Sequence, residues 1–219
     1  MPSHPASTPP EQAGRPRRRY APRVPPAQRR EQLIDAALEV ILEQGYSGVS
    51  IEAVARKVGV TRPVVYDHFP NLGRLLHALV EREERYAVAQ LEQIIPDDPS
   101  GHDPVELLPV GVRQFLDAVA SRPATWRLIL LPLEGTPAIV RRQVEKQRER
   151  MLERIERVTR SVVARPELPD DLDVELIARA IRDLGEEAGR QVLLDSKRYS
   201  PQRYEQFVHS VMHLVWPRP

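Results

Sequence analysis

Two short apolar stripes meet at a single glycine, and that junction constrains this chain more than any other feature. Ile51, Val54, Ala55 and Val58 recur at i, i+3, i+4 and i+7, the spacing of one helix face. Ser50 stands in front as an N-cap. Gly59 stops the stripe, and Val60 can pack into the corner. Thr61 then caps a second short helix reaching Phe69, with Pro63 in its first turn, where a missing N–H is tolerated. Its buried stripe is Val65 and Phe69. Pro70 disfavours continuation. A longer helix from Ala27 to Gln44 precedes the pair, with Leu33, Ile34, Ala37, Leu38 and Ile41 on one face. Gly45 ends it.

No segment shows the strict alternation of a strand, and apolar spacing is helical nearly throughout. Asn71 caps a long helix bearing Leu72, Leu75, Leu76, Leu79 and Val80 and ending near Ile95. The run PDDPSGHDP is a loop by composition. Further helices are expected over 105–121, 124–131, 137–164, 172–194 and 201–216, punctuated by Pro123, Pro132, Pro166 and Pro169. The expected fold class is all-α with about nine helices. Three segments follow: an arm over 1–26, a three-helix unit over 27–72 and a larger helical part over 73–219.

The absence of cysteine excludes disulfides, thiolate metal sites and cysteine nucleophiles. No apolar run approaches the roughly 18–20 residues of a membrane span. The N-terminal stretch has no apolar core of a signal peptide. A soluble cytoplasmic protein without a membrane partner is the expectation.

Two short helices joined by a glycine-containing turn make a helix-turn-helix unit. The second helix of such a unit enters the major groove of double-stranded DNA, which is wide enough for one helix. The side chains that Thr61–Phe69 leaves outside the core would then be a reading surface. Arg62 can donate two hydrogen bonds to guanine, and Val64 can meet a thymine methyl. Tyr66 and His68 can donate to phosphate oxygens. Ser50, at a helix N-terminus, suits a phosphate. Plainer readings exist for three of these residues. Tyr66 can be a half-buried brace, His68 a surface histidine, and Pro63 a helix initiator.

The stretch QLIDAALEVILEQGYSGVSIEAVARKVGVTRPVVYDHFPN resembles the DNA-binding region of the TetR family of transcriptional regulators. The shared features are an apolar first helix ending in Gly45-Tyr46, Ser50 before Ile51, Ala55 before Gly59-Val60, and Tyr66 before His68-Phe69. The likeness runs from about Gln28 to Leu79. It implies phosphate contact by Ser50 and base-facing positions for Arg62, Pro63 and Val64, flanked by Thr61. It also implies backbone contacts by Tyr66 and His68. Two positions depart from the family pattern. Leu72 stands where a phosphate-binding lysine is common, leaving Arg74 as a substitute. Asp67 puts an acid where a neutral residue is usual, and it would repel phosphate unless it accepts from a cytosine amino group or pairs with an arginine.

The resemblance further implies a C-terminal part that binds a small molecule and forms a homodimer. The helix ELIARAIRDLGEEAGRQVLL carries Gly185 and Gly189 at i and i+4, each costing up to about 1 kcal/mol relative to alanine. Close approach by another helix would offset that. The last helix is apolar around much of its circumference, with Phe207, Val208, Val211, Met212, Leu214 and Val215. A four-helix dimer interface including Gly185, Gly189, Phe207, Val211 and Val215 is expected. Phe115, Trp126 and Leu130 are candidate walls of an effector pocket, or plain core. No cluster of buried-looking charges stands out, which favours an apolar or amphipathic effector.

His209 and His213 share a helix face and could hold a metal, given a third ligand. No carboxylate lies at a diagnostic spacing, so no metal or cofactor is assigned. No nucleophile–base pattern or phosphate-cradling loop points to an enzyme. The expected function is a ligand-responsive DNA-binding regulator, a repressor released from a palindromic operator by a small molecule. The alternative is a non-enzymatic helical scaffold for protein partners.

The net charge of +1 hides a gradient. Residues 1–30 hold seven arginines against one glutamate, whereas residues 31–95 hold six basic against ten acidic side chains. Eight of the 22 prolines fall within the first 26 residues, so this segment cannot be helical and has little to bury. It can be a solvated tail or a flexible cation seeking a polyanion. The second reading predicts that deleting residues 1–24 flattens the dependence of DNA affinity on salt concentration. An unchanged slope of log K against log salt rejects it.

Overall fold

The computed structural model describes residues 24–95, 99, 102–131, 135–165, 168–169 and 171–215. The basic arm expected over residues 1–26 lies outside them up to Arg23, as does Trp216. Among the described residues the chain is all-α, with nine α-helices, one short 3₁₀ turn and no strand. The helices are α1 (Pro26–Gln44), α2 (Ile51–Val58), α3 (Arg62–Tyr66), α4 (Leu72–Ile94) and α5 (Pro104–Ser121). They continue as α6 (Pro123–Leu130), α7 (Ala138–Val163), α8 (Val174–Leu194) and α9 (Pro201–Val215).

Local chemistry accounts for most of the boundaries. The Ser50 hydroxyl accepts the Ala53 N–H at 3.1 Å, and the Asn71 side chain accepts the Arg74 N–H at 2.9 Å. Asp103 and Asp173 cap α5 and α8 in the same way. Each satisfies one of the orphan donors at a helix start. Three expectations need correction. Thr61 precedes α3, but its side chain accepts no helix N–H. The helix itself stops at Tyr66, short of Phe69, because Asp67 and His68 close a turn in which the Phe69 N–H bonds the Val65 carbonyl at 2.9 Å. Gly45 has positive φ but extended ψ (72° and 178°), a region outside the left-handed helix that is essentially glycine's alone.

Two apolar clusters hold the helices. The first joins α1, α2, α3 and the first half of α4 through Leu33, Ile34, Ile41, Val54, Val65, Phe69, Leu75 and Leu79, with Leu128 of α6 and Val140 of α7 added. Burial of each such side chain is worth about 1.5–3 kcal/mol. The second cluster joins α4, α5, α6 and α8 through Ala87, Leu116, Val119, Trp126, Leu130, Ala188, Val192 and Leu193. Helices α4 and α6 contribute to both.

The second cluster revises two readings. Trp126 and Leu130 are buried, and the Trp126 ring meets Phe115 edge-on with centroids 5.3 Å apart. The Trp126 N–H reaches Gln90 at 3.3 Å. These three residues are close-packed core. Gly189 also belongs inside the chain: a Cβ there would stand 2.7 Å from Leu130 Cδ1 and 3.5 Å from the Phe115 ring. Its lost side chain makes room for its own subunit, which takes it out of the expected dimer interface. At Gly185 nothing lies within 4 Å of a built Cβ.

The interior is also more charged than the sequence suggests. Glu83 is 1% exposed, and the carboxylate takes the Arg82 guanidinium at 2.8 Å and the Thr125 hydroxyl of α6 at 2.5 Å. Arg82 also reaches Asp35 at 2.7 Å and Glu31 at 3.0 Å on α1. Burial works against the arginine's charge, but Glu31, Glu83 and Asp35 together hold its pKa above the ordinary value. Beside this pair, burial pushes the Glu84 carboxyl pKa up despite a 2.8 Å hydrogen bond from Gln143 of α7. Breaking a buried pair leaves one charge uncompensated. Arg82→Met should therefore lower unfolding free energy by about 3–5 kcal/mol in chemical denaturation, and adding Glu83→Leu should recover much of that loss.

Candidate nucleic-acid interface

The turn between α2 and α3 is built as its composition requires. Gly59 lies in the left-handed region (φ 74°, ψ 34°), and the Val60 N–H bonds back to the Ala55 carbonyl at 2.9 Å. Val58 and Val60 pack against the first cluster. Val65 and Phe69 anchor α3 from beneath with 0% and 2% exposure. With that side committed, Thr61, Arg62, Pro63, Tyr66 and Asp67 face solvent. Val64 and His68 are half-buried, so they offer less of themselves than the expected reading surface implied. Ser50 is also half-buried, with its oxygen engaged as the α2 cap.

Arg62 is the centre of this surface. Its guanidinium lies 3.0 Å from Glu52 of α2, and both side chains are more than half exposed. A hydrogen bond to the Tyr66 hydroxyl, then the Glu52 charge, moves the Arg62 pKa upward. Tyr66 is 44% exposed, which accommodates both a half-buried brace and a groove-facing side chain. These contacts point the guanidinium outward but also give it an acid that a polyanion must displace. Asp67 has no ion pair among the described residues. Lys57 is turned away, held by Glu43 at 2.7 Å and Glu39 at 3.1 Å on α1.

A second basic group adjoins α3. Arg30, His68, Arg74 and His77 line a shallow cavity of about 300 Å³ with Phe69, Pro70, Ala78 and Glu81. The Arg30 guanidinium sits 4.7 Å above the Phe69 ring. Leu72 packs into the first cluster, while Arg74, two residues on, is exposed. Sequence reasoning missed His77 and the placement of Arg30 here. They come from two helices far apart in sequence, so their meeting at one cavity shows only in the fold.

Residues 33–79 match the model of the family described as bacterial regulatory proteins, tetR family. The HTH-type transcriptional regulator SrpR of Pseudomonas putida is 32% identical over 146 residues, which cover 67% of this chain and 66% of SrpR. The chain belongs to the TetR family. The HTH-type transcriptional activator FasR of Mycolicibacterium smegmatis is 32% identical over 107 residues, 49% of this chain and 48% of FasR. The aligned segments thus span less than two thirds of either relative's own length. A TetR-like regulator from Rhodococcus sp. RHA1 superposes with a TM-score of 0.70 at 24% identity, covering 89% of this chain and 100% of that one. FadR of Bacillus subtilis, solved in complex with stearoyl-CoA, gives a TM-score of 0.63 at 21% identity, over 83% of this chain and 96% of that one. These relatives are transcriptional regulators, and the expectation that the chain is not an enzyme stands with them. Among the described residues no helix is long and apolar enough to cross a membrane.

The turn carries a direct test. A Cβ at Gly59 meets nothing within 4 Å, so the cost of substitution there is conformational. Gly59→Ala should lower stability by about 1–2 kcal/mol, and Gly59→Asn by less. Equal stability of all three in thermal melts would contradict the left-handed turn.

Proposed function

We propose that this chain is a ligand-responsive transcriptional regulator that binds double-stranded DNA as a homodimer, with α3 in the major groove. The observation that carries the reading is the exposed Arg62–Tyr66 pair on a helix whose opposite side is locked into the core. Arg62 reads a guanine, and Thr61, Pro63 and the open part of Val64 complete the base-facing edge. Ser50, Tyr66, His68 and Arg74 hold phosphates, joined by Arg30 and His77 from the adjoining cavity. The regulator is a repressor that occludes a promoter.

Dimerisation rests on apolar side chains left in water along α8 and α9. Leu176, Leu184, Phe207, Leu214 and Val215 are each more than 60% exposed. Patches of this kind mark protein interfaces, and a two-fold pairing of α8 and α9 would bring two α3 helices to a palindromic operator. Gly185, with open space beside it, remains on that face. Val211 of α9 is half-buried.

The effector is an amphipathic small molecule taken up among α4, α6, α7 and α8. Apolar side chains of the second cluster lie there beside Glu84, Gln143 and the Arg148–Glu186 pair, whose atoms are 3.2 Å apart. Entry requires the packed Trp126, Phe115 and Leu130 to move, which shifts α4 and α6 and with them α3.

A gel shift with the chain's own promoter region tests the reading. The full chain should bind with a specific dissociation constant. Arg62→Ala should cost about 1–3 kcal/mol and relax preference at one base position. Equal weakening on all sequences would make Arg62 a phosphate contact, and no binding at all would reject the function.

A further inference from the structure

The far end of the molecule holds a cluster that the DNA-binding reading does not use. His209 and His213 lie one turn apart on α9, with their Nε2 atoms 3.0 Å apart and ring centroids separated by 4.2 Å. Glu106, in the first turn of α5, places a carboxylate oxygen 3.6 Å from His209 Nε2. The three ligand atoms all lie within 4.8 Å of one another. The third ligand comes from a helix a hundred residues away in sequence, so the spacing around the histidines could not announce it.

We propose that Glu106, His209 and His213 bind a divalent transition-metal ion of borderline softness, with zinc as the reference case. The first argument is distance. Two ligand atoms, each 2.0–2.2 Å from a tetrahedral ion, stand roughly 3.3–3.5 Å apart. Two of the three separations, 3.0 and 3.6 Å, bracket that value, and the third lies within 4.8 Å, so side-chain rotation has to bring the ligands together. The second argument is donor chemistry. Two imidazoles and one carboxylate form a set that suits zinc, copper or nickel and not the oxygen-seeking magnesium or calcium. Three protein ligands leave a coordination position for water, in keeping with the exposed Glu106 and half-buried histidines. The third argument is electrostatic. Two imidazole nitrogens facing each other need a proton or a cation between them, and a metal ion meets the need of both while also engaging the carboxylate.

The scaffold holds the two helices in the required register. Arg113 of α5, steadied on its own helix by Asp117 at 2.6 Å, bonds Glu205 of α9 at 3.1 Å, which clamps the helices beside the site. On a helix wheel His209 and His213 fall roughly 120–160° from Phe207. The site therefore stays clear of the proposed dimer face, and a bound ion would staple the start of α5 to the end of α9.

Zinc titration into metal-stripped, untagged full-length protein by calorimetry tests this, with cobalt absorption as a second readout. The expected result is one zinc per chain and intense visible cobalt bands of a four- or five-coordinate site. His209→Ala and His213→Ala should each weaken zinc binding by at least about tenfold. Glu106→Gln, an exposed change that leaves the fold intact by circular dichroism, should weaken it several-fold. His102→Ala should match the parent. No saturable zinc binding, affinity unaltered by the α9 variants, or affinity unaltered by Glu106→Gln would each overturn the site. None of these results bears on DNA binding by α3.

Discussion

A buried ion pair on α4 governs how the two ends of this molecule sit together. Arg82 and Glu83 lie at the seam between the apolar clusters, and each turns its remaining hydrogen-bonding capacity to a different helix. Arg82 grips α1 through Glu31 and Asp35. Glu83 grips α6 through Thr125. Charges taken from water tolerate little displacement, because each shift exposes one to an uncompensated environment. Apolar contacts alone would allow α1 and α6 to slide along α4, whereas these bonds fix their register. Since α1 braces α2 and α3, the orientation of the exposed face of α3 follows from this seam.

The interface then takes its form from what the core leaves over. Val65 and Phe69 consume one side of α3, and the five-residue helix ends as soon as they are anchored. Arg62 is pre-aimed by Tyr66 and Glu52, so less ordering remains to be done on binding. In the proposed function Arg62 exchanges the same Glu52 for a base or phosphate. In the proposed regulator that exchange favours sequences where the guanidinium finds two acceptors. Effector entry among α4, α6, α7 and α8 would act on the Glu83–Thr125 bond at its α6 end, which places the seam on the route between the two sites.

How much was legible follows from the range of the determining interactions. Ser50, Asn71, Gly59 and the Val65–Phe69 stripe act within a few residues, so helix bounds and the turn could be read directly. The five residues of α3 were overestimated because the turn at Asp67–His68 depends on a backbone geometry that periodicity does not encode. Gly189 was read as an interface residue because its neighbours, Leu130 and Phe115, lie far off in sequence. Glu83 was invisible for the same reason: its partner Thr125 is 42 residues away, and Arg82's partner Glu31 is 51. Glu106 completes the histidine cluster only once α5 is laid against α9. Polar residues on helices look solvated until the opposing helix is known.

The most direct measurement exploits the absence of cysteine. A nitroxide attached through Asp67→Cys, at the exposed end of α3, reports the separation between the two subunits' reading helices by pulsed electron spin resonance. With promoter DNA present, the account predicts one narrow distance near a duplex turn, roughly 34–36 Å plus the reach of the labels, or a multiple of that turn. A missing intermolecular distance, or a broad distribution that DNA leaves unaltered, would contradict it.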